Sequence, residues 1–357
     1  MVTIERHDGF ARLPGDAVSL LEQAVHSNPF LSAPWLAAFE RYLVQDDETP
    51  VYLLARVAGE LRMILPLLCQ RYPLLGAARL RSMANFYTGL FDVVAAPAAD
   101  DDAFGAAVAA AFARRIATEF PCLALLEIAP IRDPRGVCAR TIEALRDHGY
   151  AHRRFVAHGN WYEGVAGLDF AAYLARRPGQ VRSTLERKRQ RLARDHGYEI
   201  DICTDPEALG RRFPDFHAVY ALSWKPTERS PSFISAVMER LARDGLVALG
   251  ILEVAGEPAA VQLWIRVGAS WGVFKLAYDP RFRDLSVGTI LTARMIESFF
   301  AAGPFAELDF LSGDDSYKKD WMADRREHYG FEAIAGRTLA GRLLRLKRRF
   351  AGVALDS

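Results

Sequence analysis

The tetrapeptide Val-Ala-Gly-Glu occurs twice in this chain, at residues 57–60 and 254–257. Each copy lies between two β-forming runs: "YLLAR" and "LRMILPLL" in the first, "LGILE" and "PAAVQLWI" in the second. A Gly-containing pair between two such runs predicts a tight hairpin. The downstream segments repeat as well. The first half continues with an irregular stretch ending in "FDVVAAP", an alanine-rich helical pattern "DAFGAAVAAAFARRIA" and the apolar run "CLALLEIAP". The second continues with "WGVFKLAY", then "TILTARMIESFFAAG", then "AELDFLSG". Four shared letters constrain little, but a shared order of elements implies a duplicated α/β unit. The boundary is expected near residue 158, in "VAHGNWYEG". That gives segments 1–158 and 159–336, followed by a basic C-terminal helix over 337–357.

The length of 357 residues suits two domains of ordinary size. A formal net charge of +1 provides no overall attraction to nucleic acid. The four cysteines (Cys69, Cys122, Cys138, Cys203) form no CxxC pair, which argues against a disulfide scaffold or zinc and fits a reducing cytoplasm. The N-terminal residues lack a signal-peptide core, and no stretch approaches the roughly 18 apolar residues of a membrane span. A cytoplasmic protein is expected.

Two basic stretches leave alternatives open. "QVRSTLERKRQRLAR", residues 180–194, reads either as a solvated helix or as a surface for an anionic ligand: a phosphate, a lipid head group or RNA. "GRTLAGRLLRLKRRFAG" places Leu339, Leu343, Leu344 and Leu346 broadly on one side of a helix. That helix could dock on the protein core or on the anionic inner face of a membrane.

The segment "KLAYDPRFRDLSVGTIL" joins a strand to a helix. Pro280 ends the strand. Leu291, Met295, Ile296, Phe299 and Phe300 form one apolar helix face, and Gly303-Pro304 stops it. The helix should begin between Ser286 and Thr289. First-turn N–H groups lack partners there, and the helix dipole favours an anion. Gly288 allows close backbone approach, with Ser286 and Thr289 hydroxyls beside it and Arg281 and Arg283 just before. Helix-terminus physics makes this a candidate pyrophosphate site, and an ordinary strand-to-helix turn is the alternative, since many strand–turn–helix units contain a glycine.

Other motifs carry less. "GASWG", residues 268–272, matches a hydrolase nucleophile elbow but lies between two β runs, so a hairpin turn is expected. The histidines show no metal-ligand spacing, and no metal is expected. His217, alone in a helical pattern, reads as structural. No P-loop lysine motif or full G-x-G-x-x-G occurs.

"RDLSVG", Arg283 to Gly288, resembles the R/Q-x-x-G-x-G/A coenzyme A signature of GNAT acetyltransferases, with Ser286 at the middle glycine. More narrowly, the chain resembles the CelD/BcsL family of GNAT-like proteins. The likeness is carried by "NPFLSAPWLAAFERYL", "ILPLLCQRY", "MANFYTGLFDVVAAP", "ALSWK", "KLAYDPRFRDLSVGTIL" and "ELDFLSGDDSYKKDWM". It implies an α/β fold of two tandem GNAT-like units, each a mixed, mostly antiparallel sheet flanked by helices. It also implies kinship with the Fem peptidyltransferases. The first half lacks the loop signature and reads as a degenerate copy that shapes an acceptor cleft.

The resemblance assigns roles. Acetyl-CoA or another acyl-CoA would be the co-substrate. Arg281, Arg283, Ser286, Val287, Gly288 and Thr289 would hold its pyrophosphate. Leu276, Ala277 and Tyr278 would hold the pantetheine and acyl group, with a backbone N–H as oxyanion donor. Tyr317 would protonate the leaving thiolate. Lys318 falls on the Fem family's functional lysine, and Trp224 and Lys225 would line the acceptor cleft. The residues themselves add three charged candidates. Lys275 interrupts an apolar strand and reaches either solvent or an anionic substrate. Asp309 interrupts another, as a base or as partner to a buried cation. Asp315, with Asp314, lies in the loop beyond, as a catalytic acid or a solvated turn.

The expected activity is N-acetylation of an amino sugar, free or lipid-linked, in exopolysaccharide or envelope synthesis. The alternatives are a Fem-like transferase using aminoacyl-tRNA, and a catalytically silent binding protein of a polysaccharide machine.

Overall fold

Both copies of the repeated tetrapeptide form the same turn. Ala58 and Gly59 have φ of 51° and 85°, and Ala255 and Gly256 have φ of 51° and 82°. Two consecutive positive φ values define the type I′ turn that fits the twist of a hairpin. The computed structural model describes residues 1–72, 76–97 and 102–356. Ser357, the end of the expected C-terminal segment, lies outside the described residues.

The elements run β1 (Val2–Asp8), α1 (Gly15–Gln23), α2 (Ala33–Leu43), β2 (Glu48–Val57), β3 (Glu60–Tyr72), β4 (Ala77–Ser82), β5 (Val94–Ala95), α3 (Asp102–Glu119), β6 (Leu123–Ile131), α4 (Val137–Ala144) and β7 (Tyr150–Gly164). They continue with α5 (Phe170–Ala175), α6 (Gly179–Asp195), β8 (Tyr198–Cys203), α7 (Pro206–Leu222), α8 (Pro231–Ala242), β9 (Val247–Val254), β10 (Glu257–Val267), β11 (Ser270–Tyr278), α9 (Val287–Ala302), β12 (Glu307–Asp309), β13 (Asp324–Ala335) and α10 (Leu339–Phe350).

The chain divides into two units: Met1–Gly159 with Glu327–Ser357, and Asn160–Arg326. In the first, strands follow the order β1-β2-β3-β4-β6-β13, with β5 on β3. All pairs are antiparallel except β4 with β6. In the second, the order is β8-β9-β10-β11-β12 and then the end of β7, and only β11 with β12 is parallel. The two sheets therefore share one pairing pattern.

The closing strand of the first sheet departs from a division into successive halves. Residues 327–336, expected with the second half, belong to the first unit. There Phe331–Ile334 pair with Leu125–Ile128 of β6, and Ala333, Ile334 and Ala335 are buried. The second sheet closes within its own unit, where Tyr162–Gly164 of β7 pair with β12.

The second unit's core forms where the apolar face of α9 meets the sheet. Ile290, Leu291, Met295, Ile296 and Phe299 are all buried. Phe299 stacks on Trp271 with centroids 4.3 Å apart. Burial of each such side chain contributes about 1.5–3 kcal/mol, enough to fix the helix on the sheet. The GASWG segment is a hairpin turn, in which Val267 pairs with Ser270.

Candidate active site

Strand β11 pairs with β10 from Ser270 to Tyr278, but β12 pairs with it only over Ser270–Gly272 among the described residues. Beyond Gly272 that parallel pairing ends. Leu276, Ala277 and Tyr278 lie further along β11 and line a cavity of about 370 Å³ within the second unit.

The next wall is the strand-to-helix loop. Asp279 is buried and accepts from the Arg281 backbone N–H at 2.9 Å and from Arg281 Nε at 2.8 Å. These bonds start a short 3₁₀ turn over Pro280–Leu285. Ser286 then takes the left-handed conformation (φ 57°, ψ 36°), where glycine is favoured. Helix α9 follows, and its first main-chain bond runs from Ile290 N to Ser286 O at 3.1 Å. The N–H groups of Val287, Gly288 and Thr289 precede that bond. Gly288 and Thr289 line the cavity. A Cβ on Gly288 would lie 3.4 Å from the Tyr278 ring, so any larger side chain enters the space beside it. The first turn of α6 lines the same cavity with Gln180 and Val181, so two helix N-termini open onto one space.

The remaining wall is aromatic and polar. Trp224 lies on Tyr278 with centroids 4.4 Å apart, and Lys225 Nζ lies 5.4 Å from the Trp224 ring. Tyr317, Asp320 and Trp321 face the cavity from the segment after β12. Buried bonds hold that segment in place. Tyr173 donates to Trp321 O at 2.6 Å, and Arg177 donates to the same carbonyl and to Glu163. Burial, reinforced by the Asp315 charge, raises the Tyr317 phenol far above its usual range, so it carries its proton at neutral pH.

The structure brings together Leu276, Ala277, Tyr278, Gly288, Thr289, Trp224 and Tyr317, with Ser286 and Val287 at the helix start. Lys225 lies beside Trp224 but outside the cavity lining, and the other expected residues lie elsewhere. Arg281 is held by Asp279 and Glu257, at 2.8 and 3.3 Å, and Arg283 is exposed to solvent. Lys275 reaches neither solvent nor the cavity lining. Its ammonium lies 2.6 Å from Glu228 and 4.9 Å from the Tyr220 ring. Burial lowers the Lys275 pKa, against the opposing pull of Glu228. Asp309 is spent on structure, accepting from Asn160 Nδ2 at 2.5 Å, Leu311 N at 2.6 Å and Arg326 Nη2 at 2.6 Å. These are the contacts of a partner to a buried cation. Asp315 is an exposed loop residue 3.9 Å from Lys318 Nζ. Lys318 itself is buried and donates to the carbonyls of Phe310, Ser312 and Gly313 at 2.9, 2.7 and 3.1 Å. It fastens the loop that carries Tyr317.

Asp320 and Gln262 are cavity residues that escaped the sequence reading. Asp320 is the one carboxylate among the described lining residues. Gln262 donates to Gly288 O at 3.2 Å and to Thr292 Oγ1 at 2.6 Å, tying β10 to the first turns of α9. Gln262 interrupts an apolar strand as Lys275 and Asp309 do, and that signal would have found it. No cluster of three or more metal-ligating side chains exists among the described residues.

The class of domain follows from sequence comparison. Residues 179–319 match the model of a family described as an acetyltransferase (GNAT) domain. No curated protein matches the chain in sequence. Among solved structures, the chain resembles FemX at 12% identity and a TM-score of 0.59, over 96% of this chain and 99% of that one. It resembles L-PGS from Bacillus licheniformis at 11% identity and 0.54, over 95% and 97%. The C-terminal domain of a putative lysylphosphatidylglycerol synthetase from Agrobacterium fabrum aligns at 12% identity and 0.53, over 93% and 96%. At these identities the likeness is one of fold, and the fold is the expected α/β arrangement of two tandem GNAT-like units.

Proposed function

We propose that this protein is an acyl-CoA-dependent N-acyltransferase, with acetyl-CoA as donor and the amine of an amino sugar or lipid-linked saccharide as acceptor. The donor reading rests on one observation: a single cavity is lined by the part of β11 that lies beyond its pairing with β12 and by the first turn of α9. An extended thioester arm bonds to a strand edge, and a pyrophosphate bonds to helix N–H groups. The residues present fit that donor. Val287, Gly288 and Thr289 would take its phosphates, and Leu276–Tyr278 its arm. The acceptor class, and its place in exopolysaccharide or envelope synthesis, come from the family resemblance alone.

The donor would supply an activated acyl carbonyl and a thiolate leaving group. An amine attacking that carbonyl forms an amide and loses a proton, and the thiolate gains one. Asp320 would accept the first proton, and the Tyr317 hydroxyl would supply the second. The apolar faces of Trp224, Leu276 and Trp321 would exclude water from the thioester.

A second donor, aminoacyl-tRNA, is favoured by one feature. Helix α6 opens on the same cavity and carries exposed Arg182, Arg187 and Arg189. The likeness to FemX and to L-PGS accords with it.

The test is calorimetric titration with acetyl-CoA of the wild type and of Gly288→Trp. Micromolar binding by the wild type, lost in a variant that keeps its circular dichroism and melting temperature, is the expected result. A well-folded wild type that ignores acetyl-CoA would refute the acyl-CoA reading. Salt-sensitive retention of charged tRNA would then support the second donor.

A further inference from the structure

Helix α10 docks on its own unit through its arginines and turns its apolar side outward. Arg345 donates to Ile334 O at 2.6 Å and to Gly149 O at 2.8 Å. Arg348 donates to Glu332 Oε1 at 2.6 Å, and Arg342 to Gly336 O at 2.8 Å. At Gly341 a Cβ would lie 2.2 Å from Ala335 O, so the helix start is pressed against the end of β13. The Thr338 side chain caps it, accepting from Gly341 N at 3.1 Å.

With that face taken inward, Leu339, Leu343, Leu346 and Phe350 are 73%, 59%, 49% and 84% exposed. At about 100° per residue these four side chains fall within an arc of about 60°. They form a continuous apolar ridge on a fixed helix. Lys347 lies on one flank, Arg342 and Arg349 on the other. No aspartate or glutamate occurs between Glu332 and Asp356.

We propose that this ridge is a docking surface for an anionic lipid bilayer. Leucine and phenylalanine would enter the boundary between head groups and acyl chains, while the flanking cations meet lipid phosphates. Pairing with a second copy is the rival occupant, and charge argues against it. Two such helices would bring cations together with no acidic side chain on either to answer them. The helix would lie in the membrane plane, since its 12 residues extend only about 18 Å. No helix among the described residues is long and apolar enough to cross a membrane. The proposal goes beyond acyl transfer and does not depend on it.

The test is co-sedimentation of the full chain with vesicles. One set is phosphatidylcholine alone; the other contains about one-third phosphatidylglycerol, which gives the surface its negative potential. Binding about a hundredfold stronger to the anionic vesicles, weakened by salt, is expected from three flanking cations. Leu343→Glu with Leu346→Glu should abolish it at unchanged circular dichroism and melting temperature, since both side chains are exposed. Lys347→Glu with Arg349→Glu keeps the ridge and should lose the preference for anionic lipid. Equal binding to both vesicle types, or binding indifferent to the leucine pair, would overturn the proposal. So would sedimentation velocity showing a dimer that the leucine pair dissociates.

Discussion

Lys318 offers a test of how the cavity wall that carries Tyr317 is held, because its ammonium is buried yet bonded to three carbonyls. Burial lowers its pKa from 10.5 to about 8, with the nearby Asp315 charge opposing the fall. A fall of that size corresponds to about 3 kcal/mol between the charged and neutral forms. Below pH 8 the lysine is charged in both folded and unfolded chains, and the fold bears the full cost of burying the cation. Above pH 10.5 it is neutral in both, and that cost is gone. Between these limits the unfolded chain holds more protons, so stability rises with pH.

Lys318→Met removes the titration and the bonds together. The carbonyl of buried Phe310 then lacks its donor, a loss of about 1–3 kcal/mol. The informative quantity is the gap in unfolding free energy between wild type and variant. Other lysines and tyrosines titrate over the same range, but they do so in both proteins and cancel. Urea unfolding from pH 7 to 10.5 should show the gap widening by about 3 kcal/mol, mostly above pH 8. A gap that stays flat or narrows would refute the reasoning, and would mean that the three carbonyls stabilise the ammonium more than burial penalises it.

Ser286→Gly should stabilise the protein. A left-handed L-residue costs about 1–2 kcal/mol, glycine returns about 0.5–1 kcal/mol in chain entropy, and a net gain of about 0.5–1 kcal/mol should appear in the urea midpoint. A loss instead would show that the serine hydroxyl stabilises the loop. Arg326→Met should cost about 3 kcal/mol, because it leaves the carboxylates of Glu307 and Asp309 without the cation that now lies 2.8 and 2.6 Å from them. A cost under about 1 kcal/mol by the same measurement would show that the pair reorganises without its cation.

Local chemistry made much of this molecule legible. A Gly-containing pair between β runs has few outcomes, and both Val-Ala-Gly-Glu copies adopt the expected turn. The start of α9 was readable because Gly288 and the apolar spacing from Leu291 onward act over a single turn of chain. The return of β13 to the first unit was not, because alternation fixes which face of a strand is buried but not which neighbour it pairs with. "HYGFEAIA" suits the edge of either sheet, and only the assembled sheet selects β6. Buried charges were half legible. Lys275, Asp309 and Lys318 stand out in apolar surroundings, but their partners (Glu228, Arg326, the carbonyls after β12) are set by the fold. The C-terminal helix makes the same point about faces. Its pattern shows that leucines share one side, and habit turns that side inward. Yet an arginine carries five donors, and the main-chain carbonyls of Gly149, Ile334 and Gly336 accept them. Where the main chain offers such acceptors, a basic face docks as firmly as an apolar one, and the sense of an amphipathic helix is then decided by the surface beneath it.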